Sequence, residues 1–222
     1  MIYKAIKRAL DVLLSLLALI VLSPLMLLTA IVIRIESPRE KAIFKQERLG
    51  RDLSHFYIYK FRTMVSSHVD FTIDNPSVAE NDDNILKCGK LLRKLKIDEL
   101  PQLFNVLRGD MSIIGPRPLL PIYANVYERW ELDKFKIKPG LSGLSQISGN
   151  SNLPTNVRSY YDILYSEKAS LFLDAAIVIK TFFIIFLGEK RFVKIPSRED
   201  YDALVKRHGG ATNTEDKNDV VQ

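Results

Sequence analysis

Asp98 and Glu99 are adjacent carboxylates, and they follow directly on a basic stretch, ILKCGKLLRKLK (85–96). Taken alone, such a pair has a bland reading: the aspartate caps a helix and the glutamate is a solvated first-turn charge favoured by the helix dipole. The surroundings argue for chemistry. A helix N-terminus offers free N–H groups to an anion. Arg93 lies five residues before Asp98, and Arg117 sits between Pro116 and Pro118, which lower the entropy cost of aiming its guanidinium. An arginine can grip a phosphate bidentately. A carboxylate, arginines and phosphate-binding amides together suit phosphoryl transfer. A divalent cation fits the same site, because a carboxylate approaches a diphosphate only when charge is neutralised.

Other chemistries lack their residues. No G-x-x-x-x-G-K-[ST] occurs, no G-x-G-x-x-G follows a strand, and GLSGLSQISG (140–149) does not have the G-x-S-x-G spacing of a nucleophile elbow. His55, His68 and His208 are scattered, and the single cysteine, Cys88, excludes an internal disulfide framework and a multi-cysteine zinc module. Cys88 reads as a packing residue. The net charge of +6, from 32 basic and 26 acidic residues, suits a phosphate-bearing partner: nucleic acid, anionic lipid or a nucleotide. With 47% hydrophobic and 26% charged residues, the chain is neither wholly disordered nor collagen-like.

The elements that must position the pair can be read locally. Leu100, Leu103, Phe104 and Leu107 fall at i, i+3, i+4 and i+7, which predicts a helix that starts at Asp98, takes Pro101 in its first turn and stops at Gly109. Residues 85–96 predict a basic helix with Leu91, Leu92 and Leu95 on one side. FYIYKF (56–61) has strand composition within a region of short strands and turns, 42–64. GPRPLLP (115–121) is rigid, 122–135 reads as helix, and KPGLSGLSQISGN (138–150) as loop with short strand. Residues 66–84 and the tail from Gly209 read as loop and disorder. LFLDAAIVIKTFFIIFLG (171–188) is interrupted by Asp174 and Lys180, so it predicts a helix at a membrane surface or against the core.

The N-terminus carries 22 uncharged residues from Val12 to Ile33. At ~1.5 Å per residue they just cross a ~30 Å hydrocarbon layer. Basic residues flank both sides: Lys4, Lys7 and Arg8 before, Arg34, Arg39, Lys41 and Lys45 after. Ser23-Pro24 in the middle predicts a kink, with the serine hydroxyl bonding a freed carbonyl. Residues alone leave two readings open, a kinked spanning helix and a helix that enters, bends and returns to the same face.

KFRTM (60–64), IDELPQLFNVLRGDMSIIGPRP (97–118) and KPGLSGLSQ (138–146) resemble the bacterial sugar transferases, the monotopic polyprenyl-phosphate glycosyl-1-phosphate transferases. FKQERLG (44–50) and the oily helix with its Ser-Pro break resemble the smallest members, and the likeness covers roughly residues 5–187. The resemblance implies a Mg2+-dependent, ping-pong transfer of a sugar-1-phosphate from a UDP-sugar to undecaprenyl phosphate, with release of UMP. It implies Asp98 as nucleophile and Glu99 as its partner in holding metal or positioning phosphate. Arg93 becomes a phosphate ligand, and Lys60, Arg62 and Arg117 add positive charge. Gln146 is a candidate for a uracil or sugar hydroxyl, and equally for a buried structural amide. The family's re-entrant helix bends at Ser-Pro, here Ser23-Pro24, which favours the hairpin. Ser145, Asn150 and the segment DILYSEKASLFLD (162–174) depart from the common family pattern, whereas Asp162, Tyr165 and Asp174 match it.

The expected architecture is α+β and predominantly helical. A re-entrant membrane hairpin (1–36) joins a small cytosolic catalytic domain with amphipathic surface helices (37–195), followed by a polar, partly disordered tail (196–222). The expected setting is the bacterial inner membrane, on the cytoplasmic face. The expected partners are the nucleotide sugar, undecaprenyl phosphate and membrane lipid, without nucleic acid; a homodimer is left open. Two rival readings are a membrane-tethered basic protein that binds anionic lipid or nucleic acid without catalysis, and a transferase fold that has lost activity.

Overall fold

A computed structural model of the chain describes residues 2–65 and 84–211; the predicted loop 66–84 and the predicted disordered tail fall almost wholly outside them. The fold is mostly helical with two small sheets. Helix α1 (Ile2–Glu36) is followed by strands β1 (Ile43–Leu49) and β2 (His55–Phe61), which pair antiparallel with Ile43 opposite Phe61 and Leu49 opposite His55. The predicted strand at 56–61 is therefore present, one residue longer. Leu49, Ile58 and Phe61 point into the protein.

Helix α2 (Lys87–Lys94) leads into a 3-10 turn, Ile97–Gln102, and then into α3 (Leu103–Arg108). The predicted single helix from Asp98 is thus split. Pro101 has no N–H to return to the Ile97 carbonyl, and the first turn winds tighter. The residue before the turn is Lys96, with φ 57°, so Asp98 lies inside the turn rather than at its cap. Gly109 ends α3 as predicted, with φ 95°. Strand β3 (Ser112–Ile114) pairs parallel with β4 (Gly140–Ser142). Their junction tolerates no side chain: a Cβ on Gly115 would lie 2.4 Å from the Lys138 carbonyl oxygen, and one on Gly140 2.1 Å from the Gly115 nitrogen. Residues 122–135 form two 3-10 segments, Pro121–Asn125 and Arg129–Lys136, rather than one helix.

Helices α4 (Thr155–Lys168), α5 (Leu171–Leu187) and α6 (Arg198–Arg207) complete the domain. Helix α6 lies in the segment read as a polar tail. Its Tyr201, Leu204 and Val205, at i, i+3 and i+4, are buried against Trp130, Val157 and Tyr160. Helix α5 turns Ile177 and Ile184 onto the core and leaves Phe172, Ile179, Phe182, Phe183 and Phe186 exposed.

Helix α1 is long and apolar enough to cross a membrane, and only 17% of its most apolar window is buried in the protein, so it is not a core helix. Both of its ends rest on the domain. Arg8 donates to the Val106 and Leu107 carbonyls at 2.6 and 2.8 Å, satisfying groups at the end of α3, and Asp11 accepts from the Ile113 amide at 3.0 Å. Lys7 pairs with Asp174 at 2.9 Å. At the other end Ile33 packs on Phe61, Leu86 and Leu92, and the Glu36 carboxylate accepts from the Lys87 and Cys88 amides that open α2. Between these ends Leu16, Leu17, Ile20, Val21, Leu27 and Leu28 are exposed. Pro24 lies inside the helix and cannot bond the Ile20 carbonyl; Ser23 Oγ donates to that carbonyl at 2.8 Å, as its position predicted.

Candidate active site

Four elements converge on the carboxylate pair. Lys60, at the end of β2, donates from Nζ to Glu99 Oε1 at 2.8 Å, and Arg117 Nη2, from the segment after β3, lies 3.5 Å from the same oxygen. Burial alone would raise the Glu99 pKa, but Lys60 and Arg117 outweigh it and hold Glu99 far below the ordinary carboxylate range. Lys60 is pushed down by burial and by Arg117, against the pull of Glu99. Arg48, on β1, lies behind them. It donates to the Pro118 carbonyl at 3.2 Å and to Gln46 Oε1 at 2.5 Å, and burial beside Arg117 brings it down to about 10. Arg48, Lys60, Glu99, Gln102, Arg117 and Leu141 line a small cleft.

Asp98 differs from its neighbour. It is 9% exposed, and its Oδ1 is buried without a hydrogen-bond partner. Burial and the Glu99 charge raise its pKa, opposed by Lys60, Lys96 and Arg93. The resemblance assigns Lys60, Arg62 and Arg117 to the site as a whole. In the structure Lys60 and Arg117 contact Glu99, and Asp98 keeps an unpartnered oxygen.

Arg93, on α2, reaches Thr63 Oγ1 at 2.9 Å, one turn beyond Gly89, where a Cβ would come 2.4 Å from the Thr63 carbonyl oxygen. Arg62 takes another direction. Strand β2 ends at Phe61, and Arg62 donates to the Lys41 carbonyl at 2.9 Å, lies 3.7 Å from Glu40 and covers the Phe44 ring. Gln146 opens a 3-10 turn. Its Oε1 is 3.2 Å from Ser145 Oγ, and its Nε2 is buried without a hydrogen-bond partner. Ser145 Oγ donates to Asp162 Oδ1 at 2.6 Å. Tyr165 and Asp174 tie helices together: the Tyr165 hydroxyl donates to Asp174 Oδ1 at 2.5 Å, and Asp174 also receives Tyr3 and Lys7.

Sequence reasoning missed Arg48 and Lys96. Arg48 lay inside the quoted FKQERLG, where only its strand partner could have aimed it at the cleft. Among the described residues no group of three His, Cys, Asp or Glu could hold a metal ion. Two carboxylates, one with an unpartnered oxygen, nonetheless suit Mg2+, which takes one or two carboxylates and completes its shell with substrate phosphate and water.

A long apolar helix is thus docked on a small α+β domain whose cleft is lined by Glu99, Lys60, Arg48 and Arg117, with Asp98 next to Glu99 in sequence. Residues 2–188 match the family of bacterial sugar transferases, and the chain belongs to that family. It is 38% identical over 193 residues to a UDP-N-acetylgalactosamine-undecaprenyl-phosphate N-acetylgalactosaminephosphotransferase of Aeromonas hydrophila, covering 84% of this chain and 45% of that one. It is 37% identical over 188 residues to the exopolysaccharide production protein ExoY of Sinorhizobium fredii, covering 79% of this chain and 83% of that one. It is 39% identical over 186 residues to a UDP-glucose:undecaprenyl-phosphate glucose-1-phosphate transferase of Caulobacter vibrioides, covering 79% of this chain and 67% of that one. The chain thus spans under half the length of the Aeromonas relative and most of the length of ExoY.

Proposed function

We propose that the protein is a polyprenyl-phosphate glycosyl-1-phosphate transferase. It moves a sugar-1-phosphate from a UDP-sugar to undecaprenyl phosphate in two steps. In the first, an Asp98 carboxylate oxygen attacks the sugar-side phosphorus. The bond from that phosphorus to the bridging oxygen breaks, and its electron pair leaves on UMP. In the second, an oxygen of the polyprenyl phosphate attacks the same phosphorus, the acyl-phosphate bond breaks and the Asp98 carboxylate returns. The observation that carries this reading is the contrast within the pair: Asp98 Oδ1 is buried and unpartnered beside a Glu99 clamped by Lys60 and Arg117.

Lys60 and Arg117 stand at the edge of the cleft, where they can share their charge with a diphosphate, and Arg93 adds a third cation. Arg62 and Gln146 make no direct contact with the pair among the hydrogen bonds and ion pairs of the described residues, and their roles in substrate binding are weaker expectations of the same reading. Asp98 and Glu99 would hold Mg2+, which when bound neutralises phosphate charge.

The relatives' names, two of which state undecaprenyl phosphate and a UDP-sugar, support this substrate pair. The same reading takes α1 as a re-entrant hairpin bent at Ser23-Pro24, in the cytoplasmic membrane of a bacterium with the domain on the cytoplasmic side. A helix with both ends docked on one domain and an exposed apolar middle supports it. So does the exposed apolar face of α5.

The test is capture of the intermediate. Enzyme incubated with UDP-sugar radiolabelled in the sugar-side phosphate, without lipid acceptor, should retain about one label per chain and release UMP in a burst. Turnover only when both substrates are present, with no label ever retained, refutes the two-step route. For topology, cysteines engineered before residue 8 and after residue 35 should label from the same side of the membrane; labelling from opposite sides rules out the hairpin.

A further inference from the structure

One cation beside the reacting pair is held from outside the cleft. Lys96 precedes Asp98 by two residues, and its carbonyl accepts from the Glu99 amide at 3.2 Å, so it lies within a single turn of both carboxylates. Its charge acts on both of them. Its backbone is left-handed, φ 57°, a conformation that costs a non-glycine residue energy and is kept where the surroundings demand it. Its Nζ pairs with Glu189 Oε1 at 2.9 Å. Glu189 follows α5, and both of its carboxylate oxygens receive Asn150 Nδ2 at 3.0 Å. Glu189 is thus fixed by one neighbour and offers its charge to another.

The other cations near the pair are differently employed. Lys60 and Arg117 contact Glu99, and Arg93 contacts Thr63. A diphosphate brings further negative charge into a cleft where two of the cations already serve a carboxylate. Lys96 is 40% exposed, and its flexible four-carbon stem lets the ammonium swing without moving the backbone.

We propose that Lys96 is a diphosphate-binding residue of this site, held by the Glu189–Asn150 latch and handed to the nucleotide sugar when it arrives. This rests on the proposed UDP-sugar chemistry and adds a ligand to it. The exchange swaps one anionic partner for another, so the ammonium is never left unpaired.

The test reads binding rather than turnover. UDP is titrated against the full-length protein with Mg2+, and uridine, which lacks phosphate, is measured alongside by saturation-transfer NMR. Lys96→Met should weaken UDP by about tenfold and leave uridine unchanged, the loss of one charge-assisted hydrogen bond. Lys96→Arg should regain most of that loss. Glu189→Gln frees Lys96 and should bind UDP at least as tightly as the parent. Unchanged UDP affinity in Lys96→Met overturns the proposal. A Glu189→Gln protein that weakens UDP as much as Lys96→Met also overturns it, because the pair is then a strut. Turnover retained in Asp98→Asn would sink the nucleophile and leave these affinities as they are, so the two failures can be told apart.

Discussion

Two buried aspartates serve opposite ends. Asp162 on α4 is pushed up to about 6 by burial, yet its Oδ1 accepts from Ser145 Oγ at 2.6 Å and it lies near the ammonium of Lys134. Lys134, brought down to about 8 mainly by burial, donates to Ser159 Oγ at 3.0 Å and sits 3.2 Å from the centre of the Tyr127 ring. Asp98 is also raised by burial, but its Oδ1 has no hydrogen-bond partner, and the charge that acts on it most is that of another carboxylate, Glu99. The first centre has its partners: a serine hydroxyl for Asp162 Oδ1, and a second serine hydroxyl and a ring face for the Lys134 ammonium. The Lys134–Ser159 bond ties α4 to the 3-10 segment Arg129–Lys136. The second has an oxygen left without a partner. A buried polar atom without a partner is costly, and on the proposed reading substrate or metal supplies the missing contact.

The comparison breaks most sharply at Asp98. Asp98→Asn should lower UMP release by about 10⁴-fold or more, as loss of a nucleophile does, with Tm unchanged. A variant that loses Tm along with activity would make Asp98 structural like Asp162. Lys134→Met should do the reverse. Removing the ammonium takes away its bond to Ser159 and its contact with the Tyr127 ring, and should cost about 1–3 kcal/mol in a denaturation experiment. If the variant is as stable as the parent, the Asp162 centre is not structural.

The pH dependence sharpens the contrast between the two members of the reacting pair. As the proposed nucleophile Asp98 must be ionised, and its pKa is raised by burial and by Glu99. The acid limb of kcat/KM should therefore fall above the ordinary carboxylate range, with activity lost as pH drops through it. Glu99→Gln removes a negative neighbour and should move that limb to lower pH, read from whatever activity remains. A limb that stays in place assigns it to another group. The smallest effect is expected at Ser145→Ala, where the bond to Asp162 is lost for about 1 kcal/mol, measured as a shift in Tm.

Much of the site could be read from residue order because its chemistry is local. Arg117 between its prolines and Lys60 in KFRTM both meet Glu99, the neighbour of Asp98, at the cleft. Arg62 shows where such reading fails: it shares strand spacing with Lys60, and its amide still bonds the Ala42 carbonyl, but its side chain turns to the Lys41 carbonyl and Glu40. Pro101 was visible, yet the tightening it imposes depends on a missing N–H whose effect reaches back to Lys96. The Arg48–Pro118, Lys134–Ser159 and Ser145–Asp162 bonds join distant segments, and no periodicity marks them. In the fold, β2 followed its pattern and α3 kept only the second half of the helix expected from Asp98, whereas α6 was hidden in a polar stretch whose Tyr201, Leu204 and Val205 pack around Trp130.

Glu36 closes α1 by holding the two amides that open α2, and α2 carries Arg93 and runs into the turn that bears Asp98. The oily helix and the reacting carboxylate are therefore joined through a few stiff links rather than a slack tether. With α1 in a membrane as proposed, whatever fixes its immersion depth fixes the altitude of Asp98, so lengthening or shortening the apolar run would raise or lower the proposed nucleophile relative to the lipid headgroups.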